Sequence, residues 1–277
     1  MASRRRPRSP RRERGKRLKD PSTSWNPDDD TEAQIAQSRR SVLRDETREV
    51  RRQAGDRPVY YTERCTSSNP RDPMHDEPYA AALIVKTILE ANGLVQGYSY
   101  WTFSDILEEN YFLSVPFHGG FGLFNIHGIA KAAYRAFELL HALGAEILPV
   151  EGAHPTFDAW AVRDAHAATC LLINYALPRH SIATETVRIN LGNAQAPNRA
   201  KIRRIDMDHA NPKRRWLEMG SPDYLNAAVM AELDAVSRCE SEPHPIEFRN
   251  GVLGLDVTLP PLSVASVTFE FSEGGRG

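Results

Sequence analysis

Apolar and polar residues follow one another in two different ways along the chain, and the change falls near residue 157. Before it, the apolar residues either recur at helical spacing or form short continuous runs. After it, short alternating runs are broken by Pro, Gly and Asn. The pattern predicts an α/β part followed by an all-β part.

The first part reads as helix, strand, helix, strand, helix. A sparse apolar stripe, followed by Gly55 and Pro58, predicts a single surface helix at the start. The connections between the strands are long enough for crossovers, so the strands should be parallel. The predicted elements are helices at 31–54, 79–93 and 129–144 and strands at 59–63 and 95–103.

The second part predicts an antiparallel β-sandwich. Its alternating runs include "TETVRINLG" and "GVLGLDVTLPPLSVASVTFEF". One helix should interrupt them within "GSPDYLNAAVMAELDAVSR", capped by Ser221 or Asp223.

Composition adds boundaries to this picture. The 277 residues carry 35 basic and 36 acidic side chains, so the charge of the whole chain gives no argument for nucleic acid or membrane. The opening is rich in Arg, Pro and Ser and has little to bury, which predicts a disordered basic tail. We expect this tail at 1–30, a partial barrel domain at 31–150, a β-sandwich domain at 151–272 and a flexible C-terminus at 273–277.

Several functional classes are disfavoured. No apolar run is long enough for a membrane helix, and the basic start lacks the apolar segment of a signal peptide, so a cytoplasmic protein is expected. The three widely spaced cysteines predict reduced structural thiols. The histidines lack the close spacing of a metal pair, and no phosphate-binding glycine motif occurs. We expect neither a metal nor a cofactor.

Candidate chemistry lies where the two predicted parallel strands end. Glu63 ends the first strand, and Trp101, Asp105, Glu108 and Glu109 follow at or after the end of the second. Loops at the carboxyl ends of parallel strands commonly carry active sites, and a carboxylate beside aromatic rings suits a sugar. Taken alone, Glu63 is more simply interpreted as a solvated charge after a strand. The nearby "FHGGFG" reads as a turn that needs a glycine at positive φ.

The residues of both loops together resemble glycoside hydrolase family 39, the β-xylosidase and α-L-iduronidase family. The match runs from "YYTERCTSSNPRDPMHDEPYAAALIVKTILEANG" through "YWTFSDILEEN" to "IAKAAYRAFELLHALG", and continues in "RRIDMDHANPKRRWLEMGSPDYL". It covers roughly 31–272. The resemblance implies the last two strands of a (β/α)8 TIM barrel followed by a β-sandwich.

The resemblance also implies roles for individual residues. The nucleophile of the family ends the seventh barrel strand in a "TEWN"-like motif, and that position falls on Glu63. Substrate-binding positions fall on Trp101 at the end of the eighth strand, on Glu108 and Glu109 after it, and on Phe117 and His118 in the glycine loop. No cofactor is implied.

Two departures from the family pattern stand out. Arg64 and Cys65 replace the Trp and Asn of the motif. The "NEP" motif that carries the general acid/base in the family is absent. Only about 58 residues precede the first predicted strand, which is too few for the other six strands of a barrel of roughly 250 residues.

We therefore expect a fragment of a retaining, β-xylosidase-like glycoside hydrolase, with the nucleophile present and the general acid/base missing. A frameshift or a wrongly assigned start would produce such a chain, which alone should be inactive. Its partner would be a xyloside-like carbohydrate, with self-association through the exposed barrel edge. Two alternatives remain: a non-catalytic carbohydrate-binding or interaction protein, and an RNA-binding basic tail on an inactive scaffold.

Overall fold

The computed structural model describes residues 30–107 and 115–271. Its first part contains two parallel strands with helices before, between and after them. The order is α1 (Thr31–Ala36), α2 (Val42–Ala54), β1 (Tyr60–Arg64), a 3-10 turn (Pro73–Asp76), α3 (Pro78–Glu90), β2 (Gly97–Tyr100) and α4 (Ala132–His141). The predicted parallel pairing is confirmed for β1 and β2.

The prediction of one helix over 31–54 was wrong, because the chain breaks between α1 and α2. At the break, Arg40 turns towards the rest of the molecule. Its guanidinium contacts both carboxylate oxygens of Asp158, at 3.1 and 2.6 Å. It also donates to the carbonyl oxygens of Thr156 and Tyr175, at 2.7 and 2.8 Å. These long-range bonds outweigh the local preference for a continuous helix.

The second part of the chain forms two antiparallel sheets. One has six strands in the order β3-β4-β5-β11-β7-β8, and the other has three in the order β6-β10-β9. The strands are β3 (Glu146–Leu148), β4 (Phe157–Arg163), β5 (Ala167–Asn174), β6 (Glu185–Leu191), β7 (Arg199–Ile205), β8 (Ser241–Pro243), β9 (Glu247–Arg249), β10 (Val252–Leu259) and β11 (Ser263–Glu270). The six-stranded sheet thus begins at Glu146, slightly before the predicted domain boundary at 151.

The two sheets share an apolar core. Leu253, Leu255 and Val257 of β10 face Leu172 of β5 and Val267 of β11, and all are buried. Because side chains alternate along a strand, the other face of the six-stranded sheet is available for a second layer.

That second layer is made by α3 and α4. Leu171 and Ile173 of β5 pack in one cluster with Val85 of α3 and Leu139 of α4. The β/α part and the sheets are therefore joined by a continuous core. Helix α3 begins at Pro78, where a missing N–H costs nothing, and its buried face is lined with alanines.

Two helices lie between β7 and β8, where the sequence predicted one. They are α5 (Pro212–Glu218) and α6 (Ala227–Ser237). The predicted caps were wrong: Asn226 caps α6, accepting the Val229 N–H at 3.0 Å. None of the described helices is long and apolar enough to cross a membrane.

Candidate functional site

The ends of β1 and β2 bring Glu63 and Trp101 to the same edge of the parallel pair. Arg64 lies opposite Tyr100 in the register, and the Trp101 N–H donates to the Arg64 carbonyl oxygen at 2.8 Å. Glu63 and Trp101 are each one residue from this matched pair. Glu63 is exposed and Trp101 is half-buried, so solvent or a ligand can reach both.

The residue after Glu63 has a partner of its own in the strand. The guanidinium of Arg64 lies over the ring of Tyr61, with its central carbon 4.6 Å from the ring centroid. This cation–π contact directs the Arg64 side chain onto an aromatic face.

The segment after β2 pairs with the glycine loop. The peptide bond between Trp101 and Thr102 is cis. The Thr102 N–H donates to the Phe121 carbonyl oxygen at 3.1 Å, and the Leu123 N–H donates to the Thr102 carbonyl oxygen at 2.9 Å. Trp101 is therefore followed immediately by backbone that is tied to the loop carrying Phe117 and His118.

The glycine loop is held by close backbone contacts. Gly119 has φ of +80°, as the turn prediction required, and a Cβ there would lie 2.7 Å from the Asp72 carbonyl oxygen. A Cβ on Gly120 would clash with a carboxylate oxygen of Asp105. Larger residues at either position would displace the loop.

Phe117 and His118 occupy different environments in this loop. Phe117 is 5% exposed, and its ring centroid lies 5.6 Å from that of Trp216 in α5. Its contacts are those of a core residue, and its role in a sugar site stays a prediction. His118 is half-buried and lies 3.1 Å, through Nδ1, from the Val115 carbonyl oxygen. Glu108 and Glu109 lie outside the described residues.

A buried ionic cluster lies beneath the loop. Nζ of Lys131 is 2.6 Å from Asp76 Oδ1, 2.6 Å from Asp105 Oδ2 and 2.9 Å from the Gly120 carbonyl oxygen, and both ion pairs are inaccessible to solvent. Asp105 also accepts the Gly122 N–H at 2.7 Å. One lysine thus joins the 3-10 turn, the segment after β2 and the glycine loop.

The charges in this cluster oppose and balance one another. Burial favours loss of the Lys131 charge, but the two carboxylates outweigh burial and raise the pKa of Lys131 above its usual value. Burial is the main cause of the raised pKa of Asp105, and the nearby charge of Asp76 adds to it. Asp105 is therefore a structural carboxylate rather than part of an open site.

Sequence reasoning did not identify Lys131 or Asp76. A signal was present, because Lys131 stands alone among apolar residues at the start of a helix, between Ala130 and Ala132. A lysine in such a place is rarely buried without an acidic partner. The partner itself could not be read from the chain, since Asp76 lies far away in sequence.

Comparison with known proteins identifies relatives over most of the chain. Residues 21–251 match the family described as glycosyl hydrolases family 39. The chain is 42% identical over 243 residues to a β-xylosidase of Caldicellulosiruptor saccharolyticus, covering 86% of this chain and 50% of that protein. It is 29% identical over 217 residues to a β-xylosidase of Geobacillus stearothermophilus, covering 77% of this chain and 41% of that one.

Solved structures agree with these relatives. A family 39 enzyme from Xanthomonas axonopodis pv. citri superposes with a TM-score of 0.73 at 27% identity, covering 85% of this chain and 50% of that one. The chain spans about half the length of the relatives it matches. The match to the family covers most of this chain, and the chain therefore belongs to glycosyl hydrolases family 39.

Proposed function

We propose that this chain carries the nucleophile half of a retaining, β-xylosidase-like glycosidase, with Glu63 as the nucleophile. The observation that carries the proposal is the position of Glu63, exposed at the end of β1 and beside Trp101 at the end of β2. In this proposal β1 and β2 are the last two strands of a (β/α)8 barrel. The substrate is an O-glycoside, in keeping with the β-xylosidases to which the chain is similar.

The mechanism is a double displacement. The Glu63 carboxylate attacks the anomeric carbon, the bond to the leaving oxygen breaks, and a glycosyl ester forms on Glu63. Water then attacks the same carbon and releases Glu63. The ring of Trp101 stacks on the apolar face of the sugar and fixes its position. In this proposal His118, Glu108 and Glu109 are further substrate-binding residues.

Such a mechanism needs a second carboxyl group about 5 to 5.5 Å from the first, to protonate the leaving oxygen. In this proposal that group belongs to the part of the family 39 fold that the chain does not contain. Acid–base catalysis contributes roughly a hundredfold to ten-thousandfold, and the missing strands would also hold the substrate. The isolated chain should therefore have little or no activity on unactivated xylosides.

A complementation experiment tests the proposal. The chain is refolded with the N-terminal half of the Caldicellulosiruptor relative, and hydrolysis of an aryl β-xyloside is measured. Turnover should appear in the mixture and fall by at least about a thousandfold with Glu63→Gln, because the nucleophile is lost. The matched control is Glu151→Gln, which changes another exposed glutamate and should leave turnover unchanged.

Equal turnover by the Glu63→Gln and wild-type mixtures would remove Glu63 from this role. Binding of a xyloside by the mixture without any turnover would instead favour a non-catalytic carbohydrate-binding protein.

A further inference from the structure

A second set of reactive groups lies just beyond Glu63. Cys65 follows β1 directly and is half-buried. Its Sγ is 3.6 Å from Nε2 of His75, a buried residue of the 3-10 turn. The hydroxyl oxygen of Tyr100, at the end of β2, lies 3.5 Å from the same sulfur, and this hydroxyl can donate to the sulfur when the thiol is ionised. A thiol, an imidazole and a phenol therefore meet at one point.

The hydrogen bonds around His75 indicate its protonation. Nδ1 lies 2.8 Å from the Gly119 carbonyl oxygen, which can only accept, so Nδ1 carries a hydrogen. The Ser67 hydroxyl donates its one hydrogen to Asp72 at 2.5 Å. Its oxygen is 3.2 Å from Nε2 of His75 and can only accept there. A hydrogen on both ring nitrogens satisfies every contact, whereas a neutral ring would face Ser67 with a lone pair.

The Cys65 thiol can supply the proton that charges the imidazole of His75. Burial disfavours the imidazolium, but the charge of Cys65, its hydrogen bond and the charge of Asp72 raise the pKa of His75 to about 9. Burial likewise disfavours the thiolate, but the charge of His75 and the hydrogen bonds from His75 and Tyr100 outweigh it, so the pKa of Cys65 is lowered.

The other two cysteines provide a contrast within the same chain. Both are buried, and burial raises the pKa of Cys170 to about 11 and of Cys239 to about 12. Neither should react while the chain is folded.

We infer that Cys65 and His75 form a thiolate–imidazolium pair and that Cys65 is a modification site for hydroperoxides. This inference does not depend on the proposed glycosidase activity. The sulfur attacks one peroxide oxygen, a sulfur–oxygen bond forms and the oxygen–oxygen bond breaks. Sulfur loses two electrons and becomes a sulfenic acid, while the leaving group, hydroxide from hydrogen peroxide or alkoxide from an alkyl hydroperoxide, takes the proton of His75 and departs as water or an alcohol.

Alkylation as a function of pH tests the ion pair. The folded chain is treated with iodoacetamide between pH 5 and 10, and each cysteine peptide is quantified by mass spectrometry. Cys65 should react first, with an inflection below the value of about 8.5 of an ordinary thiol. At a pH well below the pKa of the thiol, lowering that pKa by one unit makes the thiolate fraction about tenfold larger.

Two variants test whether Cys65 reacts because of the ion pair or only because solvent can reach it. Tyr100→Phe removes one donor to the sulfur and keeps the ring, so the inflection should move to higher pH. His75→Gln should move it further, and near-ultraviolet circular dichroism checks that the buried site is still folded. An inflection at the ordinary value in the wild type, unmoved by Tyr100→Phe, would overturn the ion pair.

Trapping of the oxidised product tests the second half of the inference. After exposure to hydrogen peroxide, a dimedone adduct should form on Cys65 and be absent from Cys170, Cys239 and the Cys65→Ser variant. Absence of the adduct from Cys65 in a folded chain would show that it is not a peroxide modification site.

Discussion

Lys131 supports the loop beside the proposed sugar site through two buried ion pairs and a hydrogen bond to the Gly120 carbonyl oxygen. It is fully buried and is the single cation between Asp76 and Asp105 among the contacts that the structure describes for it. Replacing one partner of a buried ion pair costs about 3 to 5 kcal/mol, because the remaining charge stays buried without compensation.

The Lys131→Met variant should therefore lose about 3 to 5 kcal/mol of unfolding free energy at pH 7. The loss should be smaller at pH 5. The charge of Lys131 lowers the pKa of Asp105, which burial raises, so without Lys131 that pKa should rise further. The folded variant then takes up a proton at a higher pH than the folded wild type, and this recovers part of the lost stability as pH falls. Denaturant unfolding at both pH values measures the difference.

Lys201→Met is the matched control. Lys201 is partly exposed and forms a 2.8 Å ion pair with Glu270, which should contribute less than about 1 kcal/mol. A deficit in Lys131→Met that equals the control, or that does not change with pH, would contradict a structural role for the buried charge.

Single residues also mark the limit of reading this site from sequence. The strand-end positions of Glu63 and Trp101 follow from apolar runs, because a parallel pair needs both to end at one edge. The burial of Asp105 and Phe117 does not follow, since it depends on Lys131 and Trp216, which lie far along the chain. The local sequence pattern predicts the position of a side chain in its strand or loop, but it does not predict which distant residues bury that side chain.

Among the secondary-structure elements, those that depend on the local sequence were predicted, and a helix break that depends on a distant contact was not. Strands β1 and β2 and helix α3 were predicted from continuous apolar runs, and helix α4 from apolar residues that recur at helical spacing. The break between α1 and α2 was missed, because it is set by Arg40 reaching Asp158 across the fold. Helix α5 was missed because it is short, and its cap at Asn211 gave only a weak signal.

At the scale of the whole molecule, the two-stranded sheet of the β/α part has apolar side chains beside it that are exposed to solvent. Among the described residues, β1 and β2 form a sheet of two strands. Large apolar side chains next to this pair are exposed, with Tyr60 at 61%, Phe103 at 71% and Ile106 at 68%. Unpaired edges and exposed apolar residues together favour association.

We therefore expect the isolated chain to self-associate as its concentration rises. Sedimentation velocity should show the average mass increasing, and a double variant, Phe103→Ser with Ile106→Lys, should reduce the increase. Tyr224→Lys serves as a control, because Tyr224 is 88% exposed but lies between α5 and α6. A chain that is monomeric at every concentration, or that responds equally to the control, would contradict association through this edge.

Glu63 is proposed as the nucleophile of a family 39 glycosidase, and the chain spans about half the length of the relatives it matches. Covalent trapping tests this claim most directly. The chain, combined with the complementary half of a relative, is treated with a 2-deoxy-2-fluoroxyloside that carries a good leaving group, and the labelled peptide is identified by mass spectrometry. We predict a single fluoroxylosyl ester on Glu63 that is absent from Glu63→Gln. An ester on another carboxylate, or turnover of xyloside with no label on Glu63, would contradict it.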